Sequence, residues 1–319
     1  MSGPRVDVIV PTLNGWSYLE TCLAALCRQT FRDFRVIVVD DGSTDGTAQL
    51  VQQQFPEVVV YRFARNRGLA AAINAGIRAG QSELVAFLNN DTEPESDWLG
   101  ELVSCLERHP EAAAAAGKLL LFDRRDTIHS AGDTFGVNGL PANRGVWQID
   151  KGQYDREEPV FGACGGSALF RRAALDDVAI EGEVLDTSLF MYCEDVDLSW
   201  RLRLRGYEIQ YAPKARVYHR LSATGGGALA SFYVARNTPA VVVKNMPSAL
   251  LRRYGRRIAG AQLRIAIETL PHWREPAARA RLRGLFAFPL LLPGVLWDRR
   301  TIQRSKRVTD ETIDQLLTR

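Results

Sequence analysis

Three groups of residues in this chain have the types and spacing to do chemistry. The first is Asn89-Asn90-Asp91, which closes the apolar run ELVAFL. A carboxylate at a strand end can hold Mg²⁺ or Mn²⁺, which takes one or two carboxylates and fills its other positions with phosphate oxygens and water. The competing role is a helix cap, and Ser96, directly before the next helical pattern, fits that better. The second group is Asp40-Asp41, followed by Gly42 and Ser43. DDGS forms an Asx-turn readily; alternatively, one carboxylate accepts a hydrogen bond from a pyrimidine N–H.

The third group is Glu194, Asp195 and Asp197, three acids in four positions after the apolar run LFMYC. Asp195 suits a first helical turn, where the macrodipole favours negative charge by about 0.3–1 kcal/mol. That accounts for one acid. Packed carboxylates repel, so at least one is expected to keep its proton to higher pH and act as a base near neutrality. Asp197 lies on another face, with Arg201 four residues on as an ion-pair partner. His219 ends ARVYH and reads either as a plain polar terminus or as part of a metal shell, with TGGG (224–227) as a loop able to close. Gly165-Gly166 imply close approach of the backbone to a strand or a ligand.

These residues need a scaffold, and the first 120 residues supply one. Apolar runs at 6–12, 35–40, 58–63 and 83–91 alternate with helical spacing at 16–28, 44–54, 68–79 and 96–108, followed by an apolar run at 112–121. Ser43 or Thr44 is the expected cap of the second helix. This rhythm predicts βαβ units and a parallel sheet covered on both faces, with ligands beyond the carboxyl ends of the strands. The acidic turns all fall at those ends. No GxGxxG or GxxxxGK[ST] cradle follows any strand, so a nucleotide would need a bridging cation. After residue 122 the rhythm fails until 160. DVDLSWRLRLRG (195–206) then reads as a helix with Val196, Trp200 and Leu204 on one stripe, followed by two short strands, YEIQYAP and ARVYHR. Residues 228–319 read as mostly helical.

The chain has 319 residues and a net charge of +3, divided unevenly. Residues 245–319 carry +9 and the rest −6. The small total gives no reason to expect nucleic-acid binding. Five cysteines without a CxxC pair fit a reducing compartment, and the N-terminus shows no signal-peptide pattern. The longest apolar stretch, 285–297, falls short of the roughly 20 residues of a spanning helix. The expected location is therefore cytoplasmic, at or near the inner face of the membrane. The basic segment, with Arg252, Arg253, Arg256, Arg257, Arg279, Arg281 and Arg283, has two readings: an amphipathic contact with an anionic membrane, or a helical cap or homodimer contact. The first is favoured.

Together, VIVPTLN (8–14), VIVVDDGSTDGT (36–47), RNRGLAAAINAGI (65–77), LVAFLNNDTEPESDWL (84–99), CGGSALFRR (164–172), MYCEDVDLSWRLRLRGY (191–207) and VYH (217–219) resemble the inverting family 2 glycosyltransferases of the GT-A fold, and most of all their rhamnosyltransferase-type branch. The resemblance implies an α/β, mostly parallel sheet with flanking helices. It implies a catalytic domain over 1–240, with the nucleotide-sugar donor bound by 1–122 and a saccharide or lipid-linked saccharide acceptor by 123–240. The basic helices of 241–319 would form an extension. Thr12, Asn14, Asp40, Asp41, Asn66, Gly68, Asn89 and Asn90 match donor-side positions. Asp91 and His219 match metal-side positions, and Asp195, beside Glu194, matches the general base. Gly165, Gly166 and Trp200 are expected on the acceptor side. Asn89 stands where the family's metal motif begins with Asp, so it supplies no charge. The alternatives are a sugar nucleotidyltransferase, which usually has a Gly-rich basic loop after its first strand, or an inactive saccharide-binding module.

Overall fold

The computed structural model describes residues 3–221 and 226–319. The chain runs β1 (Val6–Thr12), α1 (Trp16–Cys27), β2 (Phe34–Asp40), α2 (Thr47–Gln54), β3 (Val59–Arg62), α3 (Leu69–Ala79), β4 (Leu84–Leu88), β5 (Thr92–Pro94), α4 (Trp98–Arg108) and β6 (Ala112–Leu121). Four short strands follow: β7 (Ile128–Ser130), β8 (Asp133–Phe135), β9 (Pro141–Asn143) and β10 (Glu158–Pro159). Then come β11 (Ser167–Arg171), α5 (Arg172–Val178), α6 (Glu194–Leu204), β12 (Glu208–His219), α7 (Gly227–Asn245), α8 (Ser248–Thr269), α9 (Pro276–Arg304) and α10 (Asp310–Leu316).

The main sheet has the order β10-β12-β6-β11-β4-β1-β2-β3. β1 pairs in parallel with β2 and β4, and β2 with β3. β11 runs antiparallel between β4 and β6, so its start meets the end of β4 and the middle of β6. Alternation along each strand builds two cores. Ile9, Ile37, Val39, Val85 and Phe87 face α3, α5 and α6. Val8, Val10, Val36, Val38, Ala86 and Leu88 face α1 and α4. The expected α/β sheet, covered on both faces, is what forms.

Three local expectations need correction. α2 starts at Thr47, after Gly46 at φ +86°, because Ser43 and Thr44 are engaged elsewhere. The Ser43 hydroxyl accepts the Asn14 N–H, and the Thr44 N–H donates to Asn14 Oδ1, each at 2.8 Å. Ser96 is not the cap of α4; Asp97 occupies that position. β12 is one strand, not two, with its pairing to β6 interrupted between Ala212 and Arg216.

A third core joins β8 and α6 to the C-terminal helices. Phe135, Phe161, Trp200 and Leu204 pack with Val241, Val242, Met246, Leu250, Val295 and Ile302. Residue 240, the expected boundary, lies inside α7. α9 lies tightly on α7: a Cβ at Gly284 would sit 2.2 Å from the Phe232 carbonyl oxygen. Counting only the unbroken apolar run understated α9, which reaches 29 residues. Among the described residues it is the one helix long and apolar enough to cross a membrane by length and composition, with a mean hydropathy of 1.2 in its best window.

Candidate active site

A cavity of about 780 Å³ opens where β1, β2, β4 and β12 end and α6 begins. Thr12, Asp41, Asn66, Gly68, Asn89, Asn90, Asp91, Gly165, Gly166, Glu194, Asp195 and His219 all line it. Asn14, Asp40 and Trp200 do not. Asn14 is spent on the Ser43–Thr44 turn. Asp40 is fully buried, accepts the Ser43 N–H at 2.7 Å and thus forms the Asx-turn. Trp200 is fully buried against Phe135 and Phe161, with ring centroids 5.0 and 5.1 Å away, facing the C-terminal helices rather than an acceptor.

On one side of the cavity, both oxygens of Asp41 accept backbone N–H groups, from Arg67 at 2.6 Å and Gly68 at 2.9 Å. Burial pushes its carboxyl up, and those two bonds work against the shift. Gly68 has φ +92°, and a Cβ there would lie 2.5 Å from the Phe190 ring. Only glycine fits that position. Asn90 Nδ2 donates to Thr12 Oγ1 at 3.0 Å, tying the β1 and β4 ends together.

In the middle, His219 Nε2 lies 3.1 Å from Asp91 Oδ1. The other His219 nitrogen, Nδ1, is 3.0 Å from Nδ1 of His129, a histidine in β7 whose role the sequence did not show. Burial, and then the neighbouring His219, push His129 down to about 3. The TGGG loop after His219 lies partly outside the described residues.

On the far side, Asp195 sits in the first turn of α6. Its Oδ2 accepts the Gly165 N–H at 2.9 Å and its Oδ1 the Val196 N–H at 2.8 Å. Burial raises the pKa of both Asp195 and Glu194, as packed acids require. The approach to α6 is strained: Phe190, Tyr192 and Cys193 all have left-handed backbones, with φ of 65°, 65° and 68°. Such residues cost about 1–3 kcal/mol each and persist only where the surroundings hold them. Asn237 of α7 supplies that hold, donating to the carbonyls of Leu189, Met191 and Tyr192 at 2.8–2.9 Å.

The sequence also gave no sign of Asp133 and Cys164, which come together with Asp195 in the cavity wall. Burial, and then the Asp195 charge, push Asp133 up to about 8. Phe190 and Tyr233 stack at 16° beside them and, with Leu229 and Val234, give the cavity an apolar wall toward α7. Asp133 lies in the irregular segment, Cys164 and Phe190 between regular elements, and Leu229, Tyr233 and Val234 on a helix whose partners no sequence period reveals.

An α/β, mostly parallel sheet with Asp41 and Asp91 at its strand ends, and Asp195 across one cavity from them, is consistent with the GT-A fold. The chain belongs to glycosyl transferase family 2, whose model matches residues 7–179. It is similar to the N-acetylglucosaminyl-diphospho-decaprenol L-rhamnosyltransferase of Mycobacterium tuberculosis, at 30% identity over 73% of this chain and 81% of that protein. It is 26% identical to the poly-beta-1,6-N-acetyl-D-glucosamine synthase of Staphylococcus aureus, over 70% of this chain and 54% of that one. Another relative, an uncharacterised protein of Sinorhizobium fredii, is 28% identical, and the match spans a quarter of its length. Among solved structures, GalNAc-T7 with UDP, GalNAc and Mn²⁺ superposes with a TM-score of 0.60 at 17% identity, over 77% of this chain and 49% of that one. S. aureus TarS gives 0.57 at 21% identity, over 94% of this chain and 55% of that one. At those identities the structures speak for the fold. The chain is a glycosyltransferase.

Proposed function

We propose that the enzyme moves a sugar from a nucleoside-diphosphate donor, dTDP-rhamnose or a UDP-sugar, to a hydroxyl of a saccharide or lipid-linked saccharide, with inversion at the anomeric carbon. The observation that carries this reading is the single cavity shared by Asp41, Asp91 and Asp195. Asp41, Asn66 and Thr12 hold the nucleoside, and Asn89 and Asn90 the groups next to it. Gly165 and Gly166 shape the acceptor side, where Asp195 takes the proton of the attacking hydroxyl. Asp133, close beside Asp195, keeps its proton up to about 8 and is a poor nucleophile.

A divalent cation, Mg²⁺ or Mn²⁺, fits Asp91 and His219. Their facing atoms are 3.1 Å apart, close to the spacing of two ligands at right angles at about 2.1 Å from an ion. When bound, it would offset charge developing on the departing diphosphate. Incubation with candidate donors, without acceptor and with either ion, is expected to give slow sugar release. With acceptor, NMR is expected to show the inverted anomer. A retained anomer would overturn the mechanism. Pyrophosphate release from a nucleoside triphosphate and a sugar phosphate would favour the nucleotidyltransferase, and binding without turnover the inactive module.

The C-terminal helices support a membrane-held acceptor in cell-wall or surface polysaccharide synthesis. Phe286 and Leu290 are each 82% exposed, and Trp297 is 60% exposed on the same face of α9. Arg279, Arg281 and Arg283 precede them. Basic residues near an anionic leaflet contribute about 1 kcal/mol each. Pro289 and Pro293 within α9, and its packing on α7, favour lying on the inner face of the membrane over spanning it. Phe286→Glu with Leu290→Glu is expected to abolish sedimentation with anionic liposomes while leaving thermal unfolding unchanged. Undiminished pelleting would discard the membrane contact.

A further inference from the structure

We propose that His129 is the positioning residue that sets the tautomer and ring orientation of His219 for cation binding. The inference rests on the cation reading of Asp91 and His219 given above.

Position comes first. Near its end, β6 lies between β12 and β7. Leu119–Leu121 pair with Val217–His219 on one side, and Leu119 and Leu120 with Ser130 and Ile128 on the other. His129 falls where the β6–β7 register shifts. The two flanking strands thus bring both rings to one end of β6, with centroids 5.0 Å apart. Both rings line the cavity beside Asp91.

Proton accounting follows. Two imidazole nitrogens 3.0 Å apart are at hydrogen-bonding distance only if one proton lies between them. In the tautomer of neutral His219 that carries its proton on Nε2, toward Asp91, the proton shared between the rings belongs to His129 Nδ1. For Nε2 to offer its lone pair to a cation held with Asp91, the His219 proton must sit on Nδ1. His129 Nδ1 must then accept it, with the His129 proton on Nε2. One neutral ring therefore serves both states by exchanging tautomers. Histidines that bind metals commonly donate their second N–H to such a partner, and losing it typically costs 10–100-fold in metal affinity. The partner here is an imidazole.

The test is Mn²⁺ binding to the full chain, followed by the EPR signal of free Mn²⁺ at fixed pH with UDP present. His129→Phe keeps the ring volume and removes the acceptor; it is expected to weaken Mn²⁺ binding about 10–100-fold. His129→Asn places a carbonyl oxygen near Nδ1 and is expected to restore most of that loss. UDP binding in EDTA should be unchanged in both. Wild-type Mn²⁺ affinity in the Phe variant would overturn the proposal, as would an Asn variant no better than Phe. Asp91→Ala separates the two levels. If it leaves Mn²⁺ binding unchanged, the cation site itself is misplaced and the role of His129 falls with it. If Asp91→Ala abolishes binding while His129→Phe does nothing, the His129 role alone is wrong.

Discussion

Asp195→Asn lowers turnover by about 10²–10⁴-fold, the usual worth of a general base, and leaves donor affinity unchanged. The amide keeps the acceptor geometry toward the Gly165 N–H through its oxygen, so the start of α6 stays in place. What it loses is the capacity to take a proton. Burial raises the Asp195 carboxyl, so wild-type activity is expected to fall with decreasing pH at a value above the ordinary carboxylate range. The base works only when ionised. The acid limb should therefore disappear in the Asn variant, leaving a flat, slow rate. Steady-state kinetics across pH, with donor binding followed separately, checks both parts. Wild-type turnover in this variant would remove Asp195 from the mechanism.

Asp197→Ala is expected to destabilise the fold by about 3–5 kcal/mol, the typical result of removing one partner of a buried ion pair. Asp197 is fully buried two residues beyond Asp195. It accepts from Arg201 Nε at 2.9 Å and Asn245 Nδ2 at 2.8 Å, and lies 3.1 Å from Lys244 Nζ. Lys244 is itself buried and reaches Asp186 at 2.7 Å. Removing Asp197 leaves two buried cations, with Asp186 at 2.7 Å and Asp298 at 3.6 Å from Lys244 Nζ as the remaining anions and, among the described residues, none beside Arg201 Nε. Total stabilities are commonly about 5–15 kcal/mol, so the loss is a large share. Chemical denaturation measures it; a change under about 1 kcal/mol would show that Lys244 and Arg201 find other partners. The network also weakens in acid. Burial works to raise Asp186, but Lys244 holds it below the ordinary carboxylate range. Its contribution is present above the unfolded-state value and is lost as pH falls through the lower folded one.

The sheet and its acidic turns were legible because buried strands and amphipathic helices leave strong periods. β1, β4 and α3 show this best, and Asp197–Arg201 followed from helical spacing alone. What was hidden had no period to read. β7 to β10 are strands of two or three residues, too short for alternation to register, and they carry His129, Asp133 and Asn143 to the cavity. Trp200 marks a different limit. Its stripe with Val196 and Leu204 was visible, but a stripe says that a face is covered, not by what. Asp40 and Asn14 were drawn to the site by type and place, while the Oδ1 of each is engaged in a local turn and neither lines the cavity.

The hold of α7 on the residues before α6 bears on how such enzymes diversify. Asn237 fixes the carbonyls of the strained approach, and Lys244 and Asn245 grip Asp197 behind the base. The last third of the chain is therefore not a cassette that recombination can exchange freely. A chimera that takes its tail from a distant relative inherits a mismatched clamp, and the Asp195 carboxylate is expected to drift even where every cavity residue is kept. Successful grafts should carry α6, α7 and α9 together, since α9 packs on α7 and bonds its last carbonyls.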